Sequence, residues 1–159
     1  MRTLFFLFFA ALCSPALAAE PVVHVSMPWA PPSLNQPNGV GFMGLHAMQD
    51  DALLSARSDC CTAVELHTHV KDGDVVRMRK VASIPLPAED MVMLRPGGYH
   101  LMLIGLKKPL KDGDSVPVTL QFKHAPEQNI ELMVDRQKLL DRLKTSREQD
   151  VAPHAHAHH

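Results

Sequence analysis

Cysteine is scarce in this chain of 159 residues: there are three, and Cys13 lies in an apolar N-terminal run, leaving only the adjacent pair Cys60 and Cys61. Neighbouring cysteines close only a strained ring, so no disulfide framework is expected. A CxxC spacing is absent as well, so the usual thiol-exchange motif is missing. Basic clusters are missing too. Sixteen Lys and Arg are interspersed with seventeen Asp and Glu, without the basic face that nucleic acid requires. There is no Gly-rich phosphate loop, no nucleophile elbow and no internal repeat. After the first twenty residues no apolar stretch is long enough to cross a bilayer, which takes about 20 residues.

What is present begins with an export signal. "MRTLFFLFFAALCSPALAAE" carries one basic residue, an apolar run from Leu4 to Leu12 and a small-residue site at Ala16-Leu17-Ala18. It reads as a cleaved signal peptide, residues 1–18, and directs the chain to the periplasm. Leu12 precedes Cys13 where lipid attachment would want a small residue. The remainder is the size of a single domain with a core of its own.

The middle of the chain, residues 20–134, is a series of short apolar or alternating runs. Turn residues separate them: Pro31-Pro32, Pro37-Asn38-Gly39, Asp72-Gly73, Pro96-Gly97-Gly98 and Asp112-Gly113. Strands are expected near Val22–Trp29, Gly41–Met48, Leu53–Arg57, Ala63–Val70, Val75–Val81, Met91–Leu94, His100–Leu106, Ser115–Lys123 and Ile130–Val134. Many short strands at this spacing predict an all-β, cupredoxin-like or immunoglobulin-like antiparallel sandwich. Met91 and Met93 are expected in the core, as are Met43 and Met48 with His46 as a polar neighbour. His24 and His124 read as surface residues, and Trp29 as a packing residue that closes the first strand.

Residues 135–159 differ. Asp135 to Asp150 is charged and free of Gly and Pro, with Leu139, Leu140 and Leu143 at helical spacing, so either a short marginal helix or a segment unfolded in isolation is expected. The last nine residues, "VAPHAHAHH", hold His154, His156, His158 and His159. The alternating alanines set this tract apart from the uninterrupted run of an expression tag. A His-rich tract binds metal on compositional grounds. A weaker, nitrogen-based site for Cu(II) is therefore expected at the tail, with His69 as a candidate contributor.

Chemistry concentrates in two stretches. "AVELHTHVKDGDVVRMRKV" puts His67 and His69 on one face of a strand, with Met78 on the next strand beyond the Asp72-Gly73 turn. "RPGGYHLMLIG" puts His100 and Met102 on one face of another. Ten residues separate His67 from Met78, twenty-one separate Met78 from His100, and one separates His100 from Met102. This H-x(10)-M-x(21)-H-x-M pattern, with the flanks "VELHTH" and "LRPGGYHLMLIGLKKPLKDGDSVPVTLQF", resembles the periplasmic Cu(I) chaperones of the PCu(A)C family. The resemblance covers about Val22 to Val134. His69 stands where some relatives have Met, and the tail from Asp135 extends past the usual domain end.

The resemblance implies a Cu(I) carrier with His67, Met78, His100 and Met102 as ligands. It also implies delivery to an acceptor in cytochrome oxidase copper-centre assembly, an oxidase subunit or a Sco-type partner. The donor types agree. Cu(I) is soft and favours thioether and imidazole, hard cations want oxygen, and zinc takes its sulfur from thiolate. No open water-activating site or general-base arrangement is visible, so no enzymatic activity is expected. Three other readings remain at this point: a copper buffering or resistance protein without a specific client, a thiol oxidoreductase using Cys60 and Cys61, and a secreted sandwich whose His and Met residues are packing.

Overall fold

The computed structural model describes residues 22–73, 75–141 and 144. The expected signal peptide with Cys13, and the tail histidines His154, His156, His158 and His159, lie outside these residues. The described chain forms β1 (Val23–Ala30), β2 (Gly39–Ala47), β3 (Asp51–Arg57), β4 (Cys61–Asp72) and β5 (Val75–Lys80). Then follow β6 (Ile84–Leu86), β7 (Met91–Leu94), β8 (His100–Leu106), β9 (Ser115–Phe122) and β10 (Gln128–Val134). Residues 136–141 and 144 are helical. Asp135 caps that helix through its Oδ1, which accepts from the Lys138 amide at 3.0 Å.

The strands pair in the order β5-β4-β8-β2-β1-β10-β9-β3-β6. β2 changes partner along one edge: residues 39–41 pair with β8 and residues 43–46 with β7. The pairings are antiparallel, as expected, apart from β1 with β10, where Trp29 and Ala30 run parallel to Met133 and Val134. Residues 58–60 alone join β3 to β4, which lie toward opposite ends of that order. So short a link requires the sheet to roll back on itself, and the apolar faces then meet inside. The result is a cupredoxin-like β-fold.

Alternation decides which side chains enter the core. β9, SVPVTLQF, buries Val116, Val118, Leu120 and Phe122 and leaves the residues between them outward or only partly covered. On β8, Leu101 and Leu103 are fully buried, and their neighbours face the other way. With Met43, Leu45, Leu53, Leu120 and Leu132 they form a continuous core, each side chain contributing about 1.5–3 kcal/mol by burial.

Three expectations need correction. β6 was not among the expected strands, because Pro85 sits in its centre. It is a terminal strand with Ile84 and Leu86 buried and Pro85 exposed, the position where a missing N–H is tolerated. Met91 and Met93 are 53% and 37% exposed rather than core, because Val92 and Leu94 take the inward positions of β7. Met48 is also exposed, lying just past the end of β2, whereas Met43 is buried.

Candidate metal centre

β4 lies between β5 and β8, and this order assembles the chemistry. His67 is directly opposite His100 on β8, Glu65 is opposite Met102, and His69 is opposite Met78 on β5. Glu65, His67 and His69 share one face of β4, and His100 and Met102 share the matching face of β8. Directly paired side chains have Cβ atoms about 5 Å apart, and diagonal neighbours are within reach of long side chains. Met78 is such a diagonal neighbour of His67. The ring centroids of His67 and His100 are 5.7 Å apart, and those of His69 and His100 are 5.3 Å apart. His69 thus sits against His100, in the same cluster.

The hydrogen bonds fix how the rings present their nitrogens. The Pro96-Gly97-Gly98 turn, with Gly97 at φ 79°, sets the Gly98 carbonyl beneath β8. His100 Nδ1 lies 3.0 Å from that oxygen, and a carbonyl only accepts, so Nδ1 carries the proton. His100 Nε2 is then a bare lone pair. It is buried and has no partner. His67 Nε2 lies 2.8 Å from Glu65 Oε2, and His67 Nδ1 is likewise buried without a partner. Glu65 also accepts from Lys80 Nζ at 2.7 Å. That ammonium first, and His67 second, hold its carboxyl below the usual range, so it stays ionised.

Two buried acceptors without donors are a cost of about 1–3 kcal/mol each in a protein interior. A bound metal removes that cost. Ligating histidines characteristically donate their other N–H to a carboxylate or carbonyl, and both rings here do so. Burial pushes the His100 pKa down, with lesser effects from His69 and His67 and against the Gly98 hydrogen bond; the neutral ring is the ligating form. Among the described residues no group of three or more His, Cys, Asp or Glu side chains is arranged to hold a metal ion. Glu65 is already engaged by Lys80 and His67. Beside the two imidazoles this face carries the His69 ring and the thioethers of Met78 and Met102, nitrogen and soft sulfur donors suited to a soft d10 ion. His100 is the buried end of the cluster, 2% exposed, and Met78 the open end, 46% exposed.

Glu65 and the Gly98 carbonyl escaped the sequence reading. The signal for Glu65 was its place two residues before His67, on the same face. The cysteines sit elsewhere, at the start of β4. Cys61 is buried and its thiol is pushed up to about 12, by burial first and by Cys60 second, so it holds little thiolate near neutrality.

A family model described as "Putative lipoprotein LpqE-like" matches residues 23–134. A putative lipoprotein of Leifsonia xyli is 37% identical over 71 residues, covering 44% of this chain and 43% of that protein. An uncharacterized protein of Rickettsia prowazekii is 30% identical over 113 residues, covering 67% and 62%. The matched region thus spans less than two thirds of either relative. Among solved structures, a Cu(I)-bound protein from Deinococcus radiodurans superposes with a TM-score of 0.56 at 28% identity, covering 77% of this chain and 82% of that one. The copper-bound PCuAC domain from PmoF2 superposes with a TM-score of 0.59 over 71% and 92%; at 24% identity it shows the fold. No helix among the described residues is long and apolar enough to cross a membrane.

Proposed function

The chain belongs to the LpqE-like family, of PCuAC type, and on that premise we propose that it carries Cu(I) between proteins outside the cytoplasm. His67, Met78, His100 and Met102 are the proposed ligands, and copper is cargo rather than a resident cofactor. One observation carries this reading: His67 Nδ1 and His100 Nε2 are buried, unpartnered and on facing strands, each with its ring's other nitrogen held by an acceptor. The Cu(I)-bound relative from Deinococcus radiodurans supports the choice of metal.

The exposure gradient suggests a route for transfer. Met78 is the outermost donor and the first to be displaced by a ligand from an acceptor, and His100, the most deeply buried, is the last to release. The acceptor class, by family resemblance, is a cytochrome oxidase subunit or a Sco-type assembly protein. Residues 1–18 direct export to the periplasm. The protein performs no catalysis under this reading, and the raised Cys61 thiol argues against thiol exchange through the Cys60–Cys61 pair. The Cu(II) site expected at His154, His156, His158 and His159 is a separate function of the tail.

Competition titration with a chromophoric Cu(I) chelator tests the ligand set. Met78→Leu and Met102→Leu should each weaken Cu(I) binding at least about tenfold, roughly 1.4 kcal/mol. Unchanged affinity in both variants would overturn the assignment. Mixing the loaded protein with an apo acceptor separates a carrier from a buffer: a carrier transfers faster than the free ion dissociates.

A further inference from the structure

The exposed methionines of β7 have no part in the centre described above. Met93 pairs with Gly44 and Met91 with His46 on β2, and across β2 the same two residues pair with Ser26 and His24 on β1. These six residues share one face. Gly44 leaves a gap at its centre. A Cβ placed there would fall 3.1 Å from Met91 Sδ and 3.2 Å from Met93 Sδ, with Ser26 Oγ closer still. Both sulfurs therefore turn into the same gap and lie beside one another, although both side chains are substantially exposed. The His46 ring stacks on His24 at 6.2 Å, and neither ring makes a hydrogen bond to another described residue.

We propose that Met91, Met93 and His46 form a second soft-metal site, for Cu(I) or another d10 monocation such as Ag(I). Two methionines turn their sulfurs inward over one glycine while their side chains stay substantially exposed, so the thioethers are both paired and accessible. Two thioethers and one imidazole are a ligand set for a soft ion, and the cluster contains no carboxylate or thiolate that would favour a hard cation or zinc. His24 holds the His46 ring from the far side. The site is near the first one: Met102 pairs with Val40, and Val40 and Gly44 lie on one face of β2, about 13 Å apart at the rise of a strand. Metal held at Met91–Met93 is thus stationed along β2 from the point where Met102 pairs with it. The choice of copper rests on the carrier reading; the site itself does not.

The test is an Ag(I) titration of the full-length mature chain, with methionine ε-methyls labelled and resolved by NMR. In the unsubstituted chain, Met78 and Met102 should shift over the first equivalent and Met91 and Met93 over a second. In Met78→Leu/Met102→Leu, Met91 and Met93 should shift with the first equivalent taken up on this sheet. Met91→Leu/Met93→Leu should abolish the second set of shifts and leave the first. Gly44→Ala, which pushes the sulfurs apart, should weaken the second site without removing a donor. Met91 and Met93 methyls that stay unmoved through three equivalents, including when silver is taken up by the tail, overturn the proposal. Shifts at Met91 and Met93 with none at Met78 and Met102 would sustain this site and defeat the carrier assignment instead.

Discussion

Leu101 and Met102 are adjacent on β8, and exchanging each should damage a different property. Leu101 is fully buried, paired with Leu66 on one side and Gly41 on the other. Its Cβ would lie 3.5 Å from a Cβ at Gly41, and the Leu132 side chain fills the space above that glycine. The glycine has no side chain to move into a void, and both flanking strands are pinned by ladders. Leu101→Ala should therefore sit toward the costly end of such changes, about 3–5 kcal/mol. Against a total stability of about 5–15 kcal/mol this lowers the apo Tm by at least roughly 12 °C. The ligand face is untouched, so Cu(I) affinity of the folded variant, measured well below its Tm, should change by less than about threefold. Met102→Leu reverses the pattern: about 1.5 kcal/mol or less in apo stability, and at least about a tenfold loss of Cu(I) affinity. Calorimetry and chelator competition on the same samples read both. Equal losses of affinity in the two variants would refute the division of β8 into a packing face and a ligand face.

Glu65→Leu should weaken Cu(I) binding by about tenfold, the lower end for a residue that orients a ligand, because Glu65 is partly solvated and shared with Lys80. Nitrogen NMR of the apo variant should show His67 losing its fixed Nε2–H tautomer; unchanged tautomer and affinity would count against that role. Asp51 ties β3 to the chain after β9 by accepting from the amides of Ala52, Lys123, His124 and Ala125. Burial raises its pKa, but the four amides outweigh it and hold the folded value below 3.8. Its contribution to stability is therefore present above pH 3.8 and vanishes as pH falls through the folded value. Asp51→Asn should lower the Tm at neutral pH, and the gap from the unsubstituted protein should close on acidification. A gap that stays constant with pH would contradict this.

Much of the fold was legible because turn residues bracket the strands: Asp72-Gly73 opens between β4 and β5, and Pro96-Gly97-Gly98 precedes β8. β6 was hidden because Pro85 is unfavourable in a paired strand, and only its terminal place in the sheet excuses it. Met91 and Met93 show the limit of a period of two. Alternation divides M-V-M-L into two faces without saying which is inside, and a one-residue error exchanges them. The four proposed ligands came from the family resemblance carried by their spacing, and their proximity depends on β8 lying beside β4, a pairing between segments distant in sequence. Hydrogen bonds that orient the rings come from Glu65 and a main-chain carbonyl, and a carbonyl leaves no mark in the sequence.

X-ray absorption at the copper edge, on the Cu(I)-loaded mature protein at one equivalent, tests the central claim most directly. The expected spectrum has two nitrogen and two sulfur neighbours, and one sulfur disappears in each of Met78→Leu and Met102→Leu. A shell of nitrogen or oxygen alone in the unsubstituted protein, or a sulfur count that stays at two in each single variant, would contradict it.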